Sequence, residues 1–281
     1  MEKNNDINEL IINFAPTGMV PKKSQVSTLP VTPNEIIEQT HQAYDMGITM
    51  AHLHARDEDG LPTQDVKRYE LIFEGLRRHC PELVICASLS GRGGISAEQR
   101  CEVLQLKPDM GSLTLSSLNF PGQASVNCPE TIEILIDAMD QYGVKPELEC
   151  FDPGMVNYAK YLIKKGRLTG PHYFNLLMGN IAGTQVDMAY AGLLIKDLPD
   201  YSFWSFAGFG KYQLTANTLA IATGGGVRVG LEDNIWQNSS QTEMASNLSL
   251  LARIHRIAQE FERPVMTPAK FGKLGFYNSS R

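Results

Sequence analysis

Two histidines one residue apart, His52 and His54, form the segment of this chain with the clearest capacity for chemistry. Side chains alternate in direction along a β-strand, so both imidazoles lie on one face while Leu53 faces the other way. Neutral imidazoles suit a zinc ion, and a catalytic zinc site usually has three protein ligands and one open position. The pair therefore predicts a metal site with a third ligand from elsewhere. The alternative is a pair that only packs or hydrogen-bonds near a strand end.

Three charged residues at the end of a later apolar run, Arg228, Glu232 and Asp233, are candidates to complete this site. Glu232 is the best third ligand, because its carboxylate brings the set to two histidines and one carboxylate. Asp233 points the other way on an ideal strand, so we interpret it as a general base. Arg228 shares the strand face of Glu232, where it could hold a carboxylate bidentately or keep Asp233 ionised. The alternative is a structural ion pair between Arg228 and Glu232.

The elements that must position these residues follow a repeated pattern, in which an apolar strand-like run precedes a helical segment eight times. The strand-like runs are 10–16, 50–57, 83–90, 110–118, 146–151, 173–179, 203–210 and 227–233. The helical segments are 33–44, 66–79, 97–106, 129–142, 154–165, 185–196, 213–223 and 243–261. Eight such units predict an α/β fold, a (β/α)8 TIM barrel that forms a single domain over residues 1–281.

An open, doubly wound sheet is the alternative to the barrel. It would need a glycine-rich phosphate loop after the first strand, but residues 16–21 read Pro-Thr-Gly-Met-Val-Pro and lack a dinucleotide fingerprint. The first helix is well marked, because Thr32 is a good N-cap, Pro33 suits the first turn and Glu35 occupies the capping-box position.

Polar residues cluster where other predicted strands end, which is the side of such barrels that carries the chemistry. The polar residues at these ends are Ser88 and Ser90 on the third strand, Ser112, Thr114 and Ser116 on the fourth, and Glu147 and Glu149 on the fifth. Charges on apolar central strands are costly to bury, so these glutamates should be paired, metal-bound or functional. The glycine-rich segment 90–94 lacks the lysine and following Ser or Thr of a P-loop.

Composition describes an ordinary soluble globular protein and excludes several classes of function. The 281 residues are 43% hydrophobic and 20% charged, with a net charge of -6, so nucleic acid and anionic membranes are disfavoured as partners. The polar N-terminus lacks a secretory signal and no later segment is apolar enough to span a bilayer, so we expect a cytoplasmic protein. Five cysteines without C-x-x-C spacing favour reduced thiols.

The chain resembles the β-keto acid cleavage enzymes, best described by the 3-keto-5-aminohexanoate cleavage enzyme. The resemblance extends along essentially the whole chain. Its motifs are Ala15-Pro16-Thr17-Gly18, Leu29-Pro30-Val31-Thr32-Pro33, His52-Leu53-His54-Ala55-Arg56, Pro146-Glu147-Leu148-Glu149 and Gly225-Gly226-Val227-Arg228-Val229-Gly230-Leu231-Glu232-Asp233-Asn234.

This resemblance implies a zinc-dependent TIM barrel, usually a homotetramer, that converts a β-keto acid and acetyl-CoA into acetoacetate and a new acyl-CoA. It implies zinc ligands at His52, His54 and Glu232. It also implies a catalytic set at Ser88, Arg228, Asp233 and Glu149, and substrate-binding positions at Ser112 and Thr114.

One departure from the family concerns the substrate. An amine-recognising glutamate follows the Thr-Gly-Ala motif of the aminohexanoate enzyme, but Val20 stands there in this chain. We therefore assign Val20 to substrate binding and predict a β-keto acid with a neutral or apolar tail. Lys22 and Lys23 leave an anionic tail as the second choice, although consecutive loop lysines are more often simply solvated.

Two other classes of function remain as alternatives. A barrel zinc hydrolase of the amidohydrolase kind also uses an H-x-H pair and a strand-8 aspartate, but its pair lies on strand 1 and further histidines end strands 5 and 6. A non-catalytic barrel that binds acyl-CoA or another metabolite would carry no metal.

Overall fold

A closed barrel of eight parallel strands forms the centre of the molecule, which is a computed structural model describing residues 8–281. The strands are β1 (Ile12–Phe14), β2 (Met50–Leu53), β3 (Val84–Ala87), β4 (Met110–Thr114), β5 (Lys145–Cys150), β6 (His172–Met178), β7 (Ser202–Gly208) and β8 (Gly226–Val229). Strand β1 pairs with both β2 and β8, which closes the barrel. The predicted (β/α)8 fold is confirmed. The polar N-terminus that we interpreted above lies outside the described residues.

Each strand is followed by a helix on the outside of the barrel. These are α1 (Pro33–Met46), α2 (Val66–His79), α3 (Ala97–Glu102), α4 (Pro129–Tyr142), α5 (Pro153–Lys164), α6 (Met188–Asp197), α7 (Gln213–Ala222) and α8 (Asn247–Glu260), with a short α9 (Pro268–Phe271) near the C-terminus. Thr32 caps α1 through the predicted capping box with Glu35. Among the described residues, no helix combines the length and apolar character that crossing a membrane would require.

Several strands are shorter than the sequence predicts, and the early ends of β2 and β8 affect the site. Strand β2 ends at Leu53, after which Ala55–Arg56 pairs with Pro62–Thr63 in a small hairpin. Strand β8 ends at Val229, because Gly230 adopts a φ of 153° against the backbone of Ala15, where an added Cβ would lie 2.0 Å from the Ala15 oxygen. Apolar patterning continues past these points, but pairing with the neighbouring strands does not.

The N-terminal end of the barrel is filled by aromatic side chains from the C-terminal segment. Phe271 and Phe276 stack with ring centroids 4.2 Å apart, and both meet Tyr173 of β6 edge to face. All three are fully buried. The opposite end, where the strands point, is therefore where polar side chains can surround a cavity.

Candidate metal centre and active site

The predicted metal ligands His52, His54 and Glu232 converge at the C-terminal end of the barrel. Their ligand atoms all lie within 4.8 Å of one another. Glu232 Oε1 is 3.0 Å from His54 Nε2 and 3.9 Å from His52 Nε2. Zinc–nitrogen distances of about 2.0–2.1 Å in a tetrahedral site place neighbouring ligand atoms about 3.3 Å apart. The observed distances bracket that value, so the three side chains fit a zinc ion with little movement.

Glu232 supplies a second sign that a cation belongs here. Its Oε2 atom is buried and has no hydrogen-bond partner among the described residues. A buried carboxylate oxygen without a donor is costly, and a metal ion would compensate it. The adjoining cavity, which His52, His54 and Glu232 help to line, has a volume of about 20 Å³. That is room for about one water-sized ligand.

The protonation state of His54 also suits metal binding. Burial lowers its pKa to about 4, although the charge of Glu232 acts in the opposite direction. The ring is therefore neutral near pH 7, which is the form that binds zinc.

His52 is oriented by Glu147, a residue that the sequence placed on a strand without assigning it to the metal site. Glu147 Oε2 lies 2.6 Å from His52 Nδ1, and both side chains are buried. Burial alone would raise the pKa of Glu147, but the charges of His52 and Arg228 outweigh it and lower that pKa. When His52 is neutral, its Nδ1–H donates to this carboxylate and the Nε2 lone pair is free for a metal.

The second set of potential ligands, His52, Cys86 and Glu147, is less suited to a metal ion. Cys86 donates a hydrogen bond to Glu147 over 3.2 Å, and burial raises the thiol pKa well above its usual value. Metal binding requires the thiolate, so this cluster is better described as the support of His52.

Arg228 joins the metal site to the candidate base. Its guanidinium donates to Asp233 Oδ2 at 2.9 Å, to Glu232 Oε1 at 2.6 Å and to Glu149 Oε1 at 3.5 Å. The strand has ended at Val229, so the expectation that Asp233 points away from Glu232 is wrong, and both carboxylates face Arg228. The proposed bidentate role and the alternative ion pair thus coexist in one cluster.

Two of the three carboxylates that contact Arg228 have raised pKa values. Burial, with the nearby charge of Glu232, raises the pKa of Asp233 to about 6 despite the opposing effect of Arg228. Burial likewise raises the pKa of Glu149, whose Oε2 accepts a hydrogen bond from the Thr114 hydroxyl at 2.7 Å. A carboxylate with a pKa near 6 is ionised at neutral pH and still accepts a proton readily, as a general base must.

The remaining predicted residues do not all lie at the metal-side cavity. Ser88 and Thr114 line the small cavity, although no hydrogen bond joins Ser88 to Asp233 within residues 8–281. Ser112 is buried, and its hydroxyl accepts a hydrogen bond from the Leu89 N–H at 2.9 Å. That hydroxyl is thereby engaged with the backbone, and Ser112 is not among the cavity-lining residues.

Val20 lines a larger cleft beside the metal site. This cleft has a volume of about 350 Å³, and Met19, Ile235 and Trp236 form other parts of its wall. Val20 is 61% exposed. The loop that carries it is tied down by Arg56, which donates to the Gly18 and Pro21 carbonyls at 2.9 and 3.0 Å.

Arg92 lies between the two cavities and lines both of them. Its guanidinium carbon is 4.0 Å from the centre of the Phe120 ring. The sequence marked the surrounding glycine-rich segment but assigned no role to Arg92.

The barrel and its buried polar cluster define a class first: a (β/α)8-barrel protein with a potential metal centre where this fold places its active sites. A family model for the beta-keto acid cleavage enzymes matches residues 9–274. The chain therefore belongs to the β-keto acid cleavage enzyme family, and it is an acyltransferase that cleaves a carbon–carbon bond.

Curated relatives agree with this assignment. The 3-keto-5-aminohexanoate cleavage enzyme of Acetoanaerobium sticklandii is 36% identical over 266 residues, which cover 93% of this chain and 96% of the relative. The 3-oxoadipate:acetyl-CoA acetyltransferase of Cupriavidus necator is 35% identical over 263 residues, or 92% of each chain. The solved binary complex of ObcA with oxaloacetate has a TM-score of 0.79 at 20% identity, over 89% of this chain and 68% of ObcA, and it supports the fold alone.

The amidohydrolase alternative is not favoured. Strand β5 carries Glu147 and Glu149 where that class has a histidine. His172 begins β6, so it lies at the end of the barrel opposite the cavity, and β6 ends in Leu177 and Met178.

Proposed function

We propose that this protein is a zinc-dependent enzyme that uses acetyl-CoA to cleave a β-keto acid, giving acetoacetate and a new acyl-CoA. The observation that carries the proposal is the convergence of His52, His54 and Glu232 within 4.8 Å, beside an Asp233 held by Arg228. The names of the relatives support the β-keto acid and acetyl-CoA as the two substrates.

His52, His54 and Glu232 would hold the metal. A zinc ion bound there would act as a Lewis acid towards the carboxylate and 3-oxo oxygens of the keto acid, which acidifies the protons at C2.

Asp233 would remove a proton from C2. Arg228 fixes the position of this carboxylate through the hydrogen bond to Oδ2, while burial keeps its pKa at about 6. The base is thus oriented, and it is basic enough to accept the proton and acidic enough to return it.

The carbon skeleton is exchanged in two acyl transfers. The C2 carbanion equivalent attacks the acetyl carbonyl, a new carbon–carbon bond forms, and CoA leaves as its thiolate. The thiolate then attacks the original C3 carbonyl, and the C2–C3 bond breaks. The released fragment regains a proton at C2 from protonated Asp233 and leaves as acetoacetate, so the proton taken in the first step is returned.

Both transfers develop negative charge on a carbonyl oxygen. Ser88 and Ser90 line the small cavity, and the backbone amides of residues 91–94 lie in the loop that follows. These groups are the candidate donors to the oxyanions, a type of contact that typically accounts for a large share of the rate in acyl transfer.

Substrate choice would depend on the cleft beside the metal site. Val20 and its apolar neighbours offer no anion to an ammonium group, whose desolvation costs several kcal/mol without a partner. Glu232 and Asp233 also line the cleft, but both carboxylates accept hydrogen bonds from Arg228. Lys22 is exposed, and Lys23 pairs with Glu35 on the surface, so neither lysine lines this cleft. We therefore propose that amino-bearing tails are disfavoured.

The test combines metal analysis with a substrate screen. We expect purified protein to contain about one zinc per chain, and β-keto acids plus acetyl-CoA to release acetoacetate. Loss of activity on chelation and recovery with zinc would support the metal assignment. Turnover that is unaffected after complete metal removal would contradict it. Light scattering on the same sample tests the homotetramer implied by the family resemblance.

A further inference from the structure

Arg92 is a cation in the active site without an ionic partner in the part of the chain that the structure describes. The Arg92 backbone N–H donates to Ser90 Oγ at 3.4 Å, and its guanidinium rests on the Phe120 ring. Within residues 8–281, no hydrogen bond or ion pair from that guanidinium is found. The side chain is partly buried, and charges away from water are normally paired. An anionic partner is therefore missing.

The neighbouring carboxylates do not fill this role, because none of them is joined to Arg92 by a hydrogen bond or ion pair among the described residues, and the unpaired Oε2 of Glu232 lies at the candidate metal site. Asp233, Glu232 and Glu149 all accept hydrogen bonds from Arg228. They lie close enough to raise the pKa of Arg92 against the stronger lowering effect of burial, but none of them contacts it. The guanidinium that faces the cavities is left for a ligand.

The position of Arg92 is fixed by two sets of contacts. On one side, the buried Arg100 donates to the Leu89 carbonyl at 2.5 Å and to Asn127 Oδ1 at 2.9 Å, which anchors the start of the loop. On the other side, Phe120 meets Phe151 edge to face at 5.5 Å. A guanidinium over an aromatic face is attracted by the ring electrons, so it is held in place before a ligand arrives.

We propose that Arg92 binds a carboxylate of the β-keto acid at the junction of the two cavities and thereby determines which acids are accepted. This inference rests on the proposed function. Arg92 borders both the metal cavity and the cleft lined by Val20. Two carboxylates can reach such a junction: the C1 group of any β-keto acid, or a second carboxylate at the end of its tail. In either case the planar fork suits the two oxygens, and an ammonium tail is repelled.

The experiment compares two substrates in three variants. Steady-state kinetics are measured for β-keto acids with a propyl tail and a carboxyethyl tail, using wild type, Arg92→Gln, Arg92→Lys and the control Lys22→Gln. Lys22 is exposed outside the cleft, so its variant removes one positive charge without touching the junction.

We expect Arg92→Gln to lower kcat/KM roughly 10- to 100-fold, the usual range for losing a charge-assisted hydrogen bond. A loss of kcat/KM on both substrates identifies the C1 carboxylate as the group that Arg92 binds. A loss confined to the carboxyethyl substrate identifies the tail carboxylate. Arg92→Lys should recover little of the loss, since a point charge does not reproduce the fork, and Lys22→Gln should resemble wild type.

Three results would overturn the inference: unchanged kinetics in Arg92→Gln, a change only in the KM for acetyl-CoA, or an equal loss in Lys22→Gln. A binding measurement separates this inference from the proposed function. Zinc-loaded protein is titrated calorimetrically with butanoate and with glutarate, neither of which is turned over. Arg92-dependent binding without turnover of any β-keto acid would contradict the function alone. Turnover without an Arg92 effect in either assay would contradict the inference alone.

Discussion

Replacing Glu147 tests whether this residue makes His52 a metal ligand. All four of its hydrogen-bond partners are donors: His52 at 2.6 Å, Asn13 at 2.6 Å, Asn175 at 3.2 Å and Cys86 at 3.2 Å. A carboxylate has about four acceptor sites, so it satisfies all of them. Glutamine of the same shape keeps one oxygen and gains an amide donor, whereas leucine keeps no acceptor.

The two replacements should weaken metal binding to different extents. Among the described residues, the Oδ1 atoms of Asn13 and Asn175 are buried without partners, so either amide can turn its oxygen towards an added glutamine N–H. Glu147→Gln can therefore keep its own oxygen on His52 and lose the negative charge alone. Loss of such an outer contact costs roughly 10- to 100-fold in metal affinity, and we expect the glutamine variant at the lower end.

Glu147→Leu should lower metal affinity by an amount near the upper end of that range or beyond it. The imidazole of His52 loses the contact that fixes its tautomer, and several buried donors lose their acceptor. Each unsatisfied buried donor costs about 1–3 kcal/mol of folding free energy. The variant should therefore unfold at a lower temperature than wild type even when chelator has removed the metal from both.

Competition with a chromophoric chelator gives the zinc dissociation constants, and thermal unfolding in excess chelator gives stability without metal. Cys86→Ala is the matched control, because it removes one donor to Glu147 and leaves the contact with His52 intact. Wild-type zinc affinity in both the glutamine and the leucine variant would refute the reasoning. So would an equal loss in Cys86→Ala.

Three further predictions concern residues around Arg228. Glu232→Gln should lose most bound metal, whereas Asp233→Asn should keep its metal and lose roughly 10²- to 10⁴-fold in kcat, and elemental analysis that finds the reverse would exchange the two roles. Arg228→Lys should lower kcat by roughly 10-fold or more, nearly as much as Arg228→Ala, since a point charge cannot hold Asp233 and Glu232 together; a near-normal kcat would show that charge alone suffices. Gly18→Ala should weaken zinc binding, because Gly18 has a φ of 62° and the added Cβ would lie 2.5 Å from Glu232 Cγ. Chelator competition measures the effect, and an unchanged zinc affinity would contradict that contact.

The barrel could be predicted because eight alternations of apolar runs and helices leave few other arrangements. The ends of the strands could not. The apolar pattern continues through Leu231, yet the backbone turns at Gly230 because it meets Ala15, which directly follows β1. That contact joins residues far apart in sequence, so no local sequence pattern predicts it. Because the strand ends there, Asp233 and Glu232 both face the guanidinium of Arg228.

The same distinction separates the site residues that the sequence indicated from those it missed. His52 and His54 are two residues apart, so strand alternation alone brings them together. Glu147 had a visible signal, since it lies two residues before Glu149 on the same face of β5, but its contact with His52 depends on how β5 lies across the barrel. Arg92 had a weaker signal in the sequence. Its position on Phe120 depends on the hairpin formed by Leu118–Phe120 and Gln123–Ser125.

Electrostatics links the metal site to the role we assign to Arg92. Four carboxylates lie inside the barrel around the buried guanidinium of Arg228. They are Glu147, Glu149, Glu232 and Asp233. This excess of negative charge contributes to the raised pKa values of Glu149 and Asp233, after the larger effect of burial. A divalent cation would offset most of this excess, because bound cations are often the largest local charges in a site. It would also weaken the attraction of the cluster for Arg92, so the guanidinium would interact more strongly with an incoming carboxylate. Zinc binding should thus favour substrate binding through charge as well as through coordination.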